Sequence, residues 1–216
     1  MAPGKFKTTG VVPHWACQRL EGAENVAVVC TLPLVYSTAL YALQNRANLQ
    51  PGKSVLVHAG ASAVGMATIH LARRLGAGQI YTTVSSAEKK AYLVENLGVA
   101  PANIFNSRDR SFAEGIREMT GGHGIDVVLN SLMGELLQAS WACCAEFGRF
   151  VEIGKRDLTD AGRLGMAQFL KSATFTAFDL TDLYYSHNPT HNRTWATLLE
   201  KVVQMYRAGE LREFLT

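Results

Sequence analysis

The stretch that limits this chain most is Val55-Leu56-Val57 running into His58-Ala59-Gly60-Ala61-Ser62-Ala63-Val64-Gly65. Three apolar residues, two of them β-branched, meet a loop of tiny side chains, and a helical pattern begins at once. A strand that turns tightly into a helix sets free N–H groups and the positive end of a dipole where a pyrophosphate can rest. The usual fingerprint of such a turn is G-x-G-x-x-G or a near variant. Here the tight positions read Ala59, Ser62 and Gly65, and Ala63 stands where a second glycine would ease the approach of backbone to phosphate.

The flanking pattern repeats the same unit. Apolar, β-rich segments predict strands at 54–58, 79–84, Ile104-Phe105, Ile125–Leu129, Arg149–Ile153 and Thr174–Phe178. Between them, helical spacing predicts helices at about 63–75, 87–96, 111–119 and 133–145, with Gly98 as a C-terminal glycine of the second. Leu32 to Ala47 reads as a further helix, with Pro33 suited to its first turn. Tyr184–Asn192 is polar and aromatic around one proline and predicts a loop, and Thr194 to Ala208 predicts an amphipathic helix. Strands alternating with helices imply a parallel sheet covered on both faces, so the expected fold is a doubly wound α/β sheet.

Composition narrows the function classes. A hydrophobic content of 48% with 18% charged residues suits an ordered globular chain of 216 residues. The formal net charge of +3 is too small, and its lysines and arginines too scattered, for a nucleic-acid partner. No apolar run approaches the ~18–20 residues of a membrane span, and Met1–Phe6 lacks the apolar core of a signal peptide; a cytoplasmic setting is expected. Cysteines 17, 30, 143 and 144 form no C-x-x-C, so they are expected to be small core residues, a metal or redox role being the alternative. Cys143-Cys144 falls in an apparently helical stretch. His187 and His191 are four apart, but Pro189 interrupts them and no third ligand is near, so no metal is expected. His58 is expected to pack beside the turn.

The residues beyond the turn indicate the nucleotide. A site that selects the 2′-hydroxyl of NAD carries an acid about 20 residues past the glycine turn. That position is Ser85, in Thr82-Thr83-Val84-Ser85-Ser86-Ala87-Glu88-Lys89-Lys90. Hydroxyls at the strand end and Lys89 one helical turn on suit the 2′-phosphate of NADP, which needs donors and positive charge. Arg108, in Asn106-Ser107-Arg108-Asp109, can approach the same corner. In the bland alternative Ser86 only caps a helix and Lys89 is solvated. At later strand ends stand Asn130-Ser131-Leu132, Gly154-Lys155 and Asp179, where open parallel sheets bind ligands. Lys155 and Asp179 suit a proton donor with its orienting partner, and would equally serve as a structural ion pair.

These blocks also carry a resemblance. Leu32-Pro33-Leu34-Val35-Tyr36-Ser37-Thr38-Ala39, the Val55–Gly65 turn, Val127-Val128-Leu129-Asn130-Ser131-Leu132 and Gly148-Arg149-Phe150-Val151-Glu152-Ile153-Gly154-Lys155 together resemble the enoyl reductase domain of multidomain synthases. That domain is a member of the medium-chain dehydrogenase/reductase superfamily, with a Rossmann-type sheet. Arg156–Gly162 and Ala177-Phe178-Asp179-Leu180 are similar to the fungal highly reducing polyketide synthases in particular. The resemblance implies NADPH-dependent reduction of an α,β-unsaturated thioester on an acyl carrier protein. It implies that Ser62, Ala63, Val64 and Gly65 lie under the pyrophosphate, with Ser85, Lys89 and Arg108 at the 2′-phosphate. Thr38, Asn130 and Gly154 would also line the cofactor site, the last two on its nicotinamide side. Lys155 and Asp179 would be the proton-donor pair, with Asp182 three residues on.

Two departures qualify the resemblance. Members that reduce typically show Gly-Gly-Val-Gly where this chain has Ser62-Ala63-Val64-Gly65. Two added Cβ groups are expected to crowd the pyrophosphate and weaken or abolish binding, at ~1.5–3 kcal/mol per lost charge-assisted bond. Residues 1–31 are expected to be the end of a substrate-binding segment, and 32–216 an NADPH-binding subdomain with a C-terminal helix but no closing strands. Two functions are open: an NADPH-binding part of a working enoyl reductase, or an inactive domain kept as a docking scaffold beside a trans-acting enoyl reductase. Either would have the other domains of the synthase as partners.

Overall fold

The computed structural model describes residue 3, residues 8–22 and residues 24–213, so most of Met1–Phe6 and the expected chain end at Leu215-Thr216 lie outside the described residues. In chain order the first helices are α1 (Val26–Val29) and α2 (Leu32–Leu40), with Pro33 in the first turn of α2. A π-helical stretch, Tyr41–Arg46, continues α2. Then come β1 (Val55–Val57), α3 (Ala63–Arg74), β2 (Ile80–Val84), α4 (Ala87–Leu97) and β3 (Ile104–Asn106). The second half holds α5 (Ser111–Met119), β4 (Ile125–Asn130), α6 (Glu135–Ala142), β5 (Cys144–Glu152), α7 (Arg156–Thr159), β6 (Thr174–Ala177), α8 (Leu180–Tyr185) and α9 (Pro189–Arg207).

The six strands form one all-parallel sheet in the order β3-β2-β1-β4-β5-β6. Period-two alternation divides their side chains between two cores. Val55, Val57, Val127, Leu129 and Val151 face one core, completed by α2, α3, α4 and α9. Leu56, Val128 and Phe150 face the other, against Phe112 and Ile116 of α5 and Leu137 and Trp141 of α6. Burial on both faces is why the strands read as nearly continuous apolar runs. The expected doubly wound fold is present, and the chain order reverses between β1 and β4, where such sheets open a crevice at their carboxyl ends.

Local chemistry sets the boundaries. Ser62 and Ser86 cap α3 and α4, their hydroxyls accepting from the Gly65 and Lys89 amides. Gly98 ends α4 in the left-handed region, φ 58°, as its position predicted.

Three sequence expectations are corrected. The helix expected over 133–145 stops at Ala142, because Cys144 pairs with Ile125 and opens β5. An irregularity then interrupts that ladder, with Phe147 at φ 58° and Gly148 held close to the Ala145 and Ile125 carbonyls. Pairing with β4 overrides the helical spacing of Trp141-Ala142-Cys143-Cys144. The loop expected over Tyr184–Asn192 shrinks to Ser186–Asn188, since Pro189 takes the first position of α9 behind the Asn188 cap. Pro189 therefore starts a helix, and α9 begins five residues before Thr194. Cys17 and Cys30 are exposed, so only Cys143 and Cys144 are core residues. Burial pushes the Cys143 thiol up to about 12, and the Cys144 thiol upward too.

Candidate functional site

The turn after β1 is built from below. His58, 3% exposed, bonds through Nδ1 to Thr83 Oγ1 at 3.0 Å and through Nε2 to Ser140 Oγ at 2.8 Å. Ser140 Oγ also donates to the Leu136 carbonyl, so its proton is spent and His58 Nε2 is the donor to it. Thr83 in turn donates to Nδ1. One neutral imidazole thus ties β1, β2 and α6 together beneath the turn, and burial presses its pKa down to about 3. His58 packs beside the turn, as expected.

Above it, two glycines of the turn, Gly60 and Gly65, have no room for a side chain. A Cβ at Gly60 would lie 1.9 Å from Thr82 Oγ1, and one at Gly65 would lie 2.4 Å from the Ala59 carbonyl and 2.8 Å from Gly60 Cα. Ala59 itself is left-handed at φ 51°, a strain of about 1–2 kcal/mol that glycine would avoid. Ser62 is extended, at φ −80° and ψ 161°, and Ala63 is helical and exposed, so neither side chain strains the backbone. The Ser62 hydroxyl does occupy one amide, accepting from Gly65 N at 3.1 Å. Among the described residues, the Ala63 and Val64 amides have no hydrogen-bond acceptor. Two donors at the first turn of a twelve-residue helix remain open to an anion.

One strand over, Lys89 Nζ reaches Ser85 Oγ at 3.4 Å. Beside them is a cavity of about 310 Å³ between the ends of β2 and β3, lined by Ser85, Ser86, Lys90, Phe105 and Asn106 among others. Ser107 N donates to the Val84 carbonyl, which brings the Asn106–Arg108 bend to the same corner. Arg108 is exposed there, and its amide donates to Asn106 Oδ1. Among the hydrogen bonds of the described residues, none joins the Arg108 guanidinium to Ser85 or Lys89. Lys90, whose Nζ donates to the Ile104 carbonyl at 3.2 Å, lines the cavity although the spacing had pointed to Lys89. Glu88 is the acid of the first turn of α4, its carboxyl held below the usual range by the Ser86 hydroxyl.

At the other strand ends, Lys155 Nζ donates to Asp179 Oδ2 across the ends of β5 and β6. Asp179 also caps α8, its Oδ1 accepting from the Thr181 amide at 3.0 Å. Burial works to raise the Asp179 carboxyl, but the Lys155 ammonium and the Thr181 donors outweigh it and hold it below the usual range. Asp182 is not the partner of Lys155. Thr38 is half-buried on α2, and its hydroxyl donates back to the Leu34 carbonyl at 2.7 Å.

Asn130 and Gly154 are joined by a residue that sequence reasoning missed. Glu152, 1% exposed, accepts from Asn130 Nδ2 through Oε2 and from the Gly154 amide through Oε1, both at 2.5 Å. Burial pushes its carboxyl up to about 7, the Asp157 carboxylate adds to the rise, and the two hydrogen bonds oppose it. The available signal was an acid inside Phe150-Val151-Glu152-Ile153, a strand otherwise apolar on both faces.

Comparison with known proteins fits this geometry. The family model described as zinc-binding dehydrogenase matches residues 63–203. A highly reducing polyketide synthase of Penicillium roqueforti, anuA, is 55% identical over 214 residues, 99% of this chain and 10% of its own length. A second, fogA of Aspergillus ruber, is 52% identical over 211 residues, 98% of this chain and 9% of its own length. The crystal structure of the nucleotide-binding subdomain of the enoylreductase domain of PpsC from Mycobacterium tuberculosis aligns with a TM-score of 0.73 at 39% identity, over 85% of this chain and 98% of that one. The chain therefore spans about a tenth of the length of the curated relatives it matches. The family description names zinc, but among the described residues no three His, Cys, Asp or Glu side chains gather as a zinc site requires. The open amides at the first turn of α3 suit the pyrophosphate of a dinucleotide.

Proposed function

We propose, from the premise that this chain belongs to the zinc-binding dehydrogenase family and within it to the enoyl reductase region of fungal highly reducing polyketide synthases, that its strand-end site binds NADPH. The parent reaction is reduction of an α,β-unsaturated thioester held on an acyl carrier protein. The observation that carries the reading is the combination of open Ala63 and Val64 amides with the Ser85–Lys89 corner one strand away. The amides would receive the pyrophosphate, and Ser85, Lys89 and Arg108 the 2′-phosphate. When bound, the dihydronicotinamide supplies a hydride to the β-carbon. Lys155 Nζ, held by Asp179, then delivers a proton at the α-carbon. Asn130 and Gly154 shape the nicotinamide side, and Thr38 of α2 also lines the cofactor site. The segment before Leu32, whose Ala16 and Val28 join the core, is the end of a substrate-binding part.

Titration of the chain with NADPH and NADH, in the wild type and in Lys89→Ala, tests the 2′-phosphate corner. Loss of one charged contact, about 1.5 kcal/mol, should weaken NADPH about tenfold and leave NADH unchanged. Equal losses for both, or none, would contradict the assignment.

A second reading rests on the Ser62 hydroxyl, which takes the Gly65 amide that a glycine turn would leave free. In it the domain is an inactive scaffold that docks its neighbours while a trans-acting enoyl reductase supplies the reduction. Saturable NADPH binding by the chain contradicts that reading, and its absence favours it.

A further inference from the structure

We infer that Glu152 is a positioning residue: its buried carboxylate clamps Asn130 and the Gly154 amide into one plate that carries the nicotinamide half of the nucleotide. The inference rests on the NADPH reading and goes beyond it by naming the group that sets the shape of that half of the site.

The geometry leaves Asn130 no freedom. Its two Nδ2 hydrogens go to the Leu132 carbonyl at 2.8 Å and to Glu152 Oε2 at 2.5 Å. Both partners are acceptors while Glu152 is ionised, so the amide cannot rotate by half a turn without setting oxygen against oxygen. Asn130 Oδ1 is then buried without a partner among the described residues, a desolvation cost that the orientation imposes. The second carboxylate oxygen fixes the next strand end. Gly154 N donates to Oε1, and a Cβ at Gly154 would fall 2.7 Å from that same oxygen. Backbone bonds complete the plate, from Ile153 N to the Asn130 carbonyl at 3.0 Å and from Phe178 N to the Glu152 carbonyl at 3.2 Å. The second of these places Asp179, and so the Lys155 pair, in register with the clamp.

A carboxylate removed from water in an apolar strand is costly unless something uses it. Glutamine or leucine would suit a strand that needed only filling. The bonds of Glu152 run instead to Asn130, at the carboxyl end of β4, and to the Gly154 amide, just past the carboxyl end of β5. The nearby charges are Asp157, whose carboxylate accepts from the Gly134 amide, and the Lys155–Asp179 pair.

The test separates the two halves of the nucleotide. The chain is titrated calorimetrically at pH 8 with NADP⁺ and with adenosine 2′,5′-bisphosphate, which lacks the nicotinamide half. Wild type, Glu152→Ala and Glu152→Gln are compared. Adenosine 2′,5′-bisphosphate should bind all three within about twofold. NADP⁺ should bind Glu152→Ala about tenfold or more weakly, with Glu152→Gln between, since its carbonyl oxygen still accepts from Gly154. Equal weakening of both ligands would mean a merely structural residue and overturn the inference, as would unchanged NADP⁺ binding.

Should Glu152→Ala not fold, the ratio of the two affinities between pH 6 and pH 8 decides with Glu152→Gln alone. Relative to the variant's, the wild-type ratio should rise about tenfold in favour of NADP⁺ as the carboxylate ionises, since the 5′-phosphate of the bisphosphate titrates alike in both proteins. Parallel curves would overturn the clamp. The 2′-phosphate, Asp157 and the Lys155–Asp179 pair are common to both sides of that comparison and cancel. If neither ligand binds any form of the chain, the nucleotide reading fails and the inference falls with it. If both bind and the variants match the wild type, only the inference fails.

Discussion

Replacing His58 by phenylalanine probes the support under the turn, because the ring volume is kept and both hydrogen bonds are lost. In the native chain the imidazole satisfies Thr83 Oγ1 and Ser140 Oγ in a place closed to water. Phenylalanine leaves the Thr83 proton and a Ser140 lone pair without partners. At about 1–3 kcal/mol for each buried orphan, less the hydrophobic gain of the new ring, the net loss should be about 2–4 kcal/mol at pH 7. The size of that loss depends on pH with a definite sign. The folded-state pKa of His58 is lowered from 6.5 to about 3, so the unfolded chain binds the extra proton in acid. Its contribution to stability is complete above about pH 6.5 and is lost as pH falls toward 3. At pH 4.5 the loss is about two pKa units, or about 3 kcal/mol. Urea unfolding of both proteins at pH 7.5 and pH 4.5 measures it. The variant should be clearly weaker at pH 7.5 and close to the wild type at pH 4.5. A constant gap between them would refute a buried neutral imidazole. Glu152, with its pKa raised to about 7, opposes this trend between pH 4.5 and 7. Subtracting the variant's curve from the wild type's removes that contribution.

Further outcomes are expected at neighbouring positions. Gly60→Ala drives a methyl into Thr82 Oγ1, whose proton is donated to the Val57 carbonyl, and should cost about 1–3 kcal/mol or more in urea unfolding; an unchanged midpoint would contradict the packing. Ser62→Gly with Ala63→Gly frees the Gly65 amide, at about 1 kcal/mol of helix stability, and should tighten NADPH about tenfold in a fluorescence titration. Unaltered affinity would mean that neither the hydroxyl nor the methyl obstructs the pyrophosphate. Lys155→Met removes an exposed ion-pair partner, so stability should change by less than about 1 kcal/mol. Carbon NMR of Asp179 should then show its carboxyl titrating at higher pH than in the wild type, and an unmoved titration would contradict the pairing.

Much of this molecule can be read from periodicity because both faces of the sheet are buried. Val55, Leu56 and Val57 announce a central strand, Ser62 and Ser86 announce helix starts, and Gly98 a helix end. Where local spacing met tertiary pairing, it lost: Trp141 to Cys144 has a helical pattern, yet Cys144 aligns with Ile125 and begins β5. Pro189 illustrates the other ambiguity, since proline breaks a helix internally and favours its first position equally well. At the site, sequence distance from the turn leads to Ser85 and Lys89, which the fold brings within 3.4 Å of each other. Residues defined by contacts between strands were not legible. Nothing local tells that Gly60 lies against Thr82, that Ala59 takes the left-handed turn conformation, or that Glu152 bridges Asn130 and Gly154. A lone acid in an apolar strand was a visible trace of the last of these.

We propose that the carboxyl edge of this sheet binds NADPH despite its Ser62-Ala63 turn. Direct titration of the chain, tracking the change in nicotinamide fluorescence on binding, tests it with NADPH and NADH side by side. Two open amides and a lysine–serine corner call for saturable NADPH binding, at least about tenfold tighter than NADH. No saturable binding of either nucleotide, or equal affinity for both, would contradict an NADPH site at this edge.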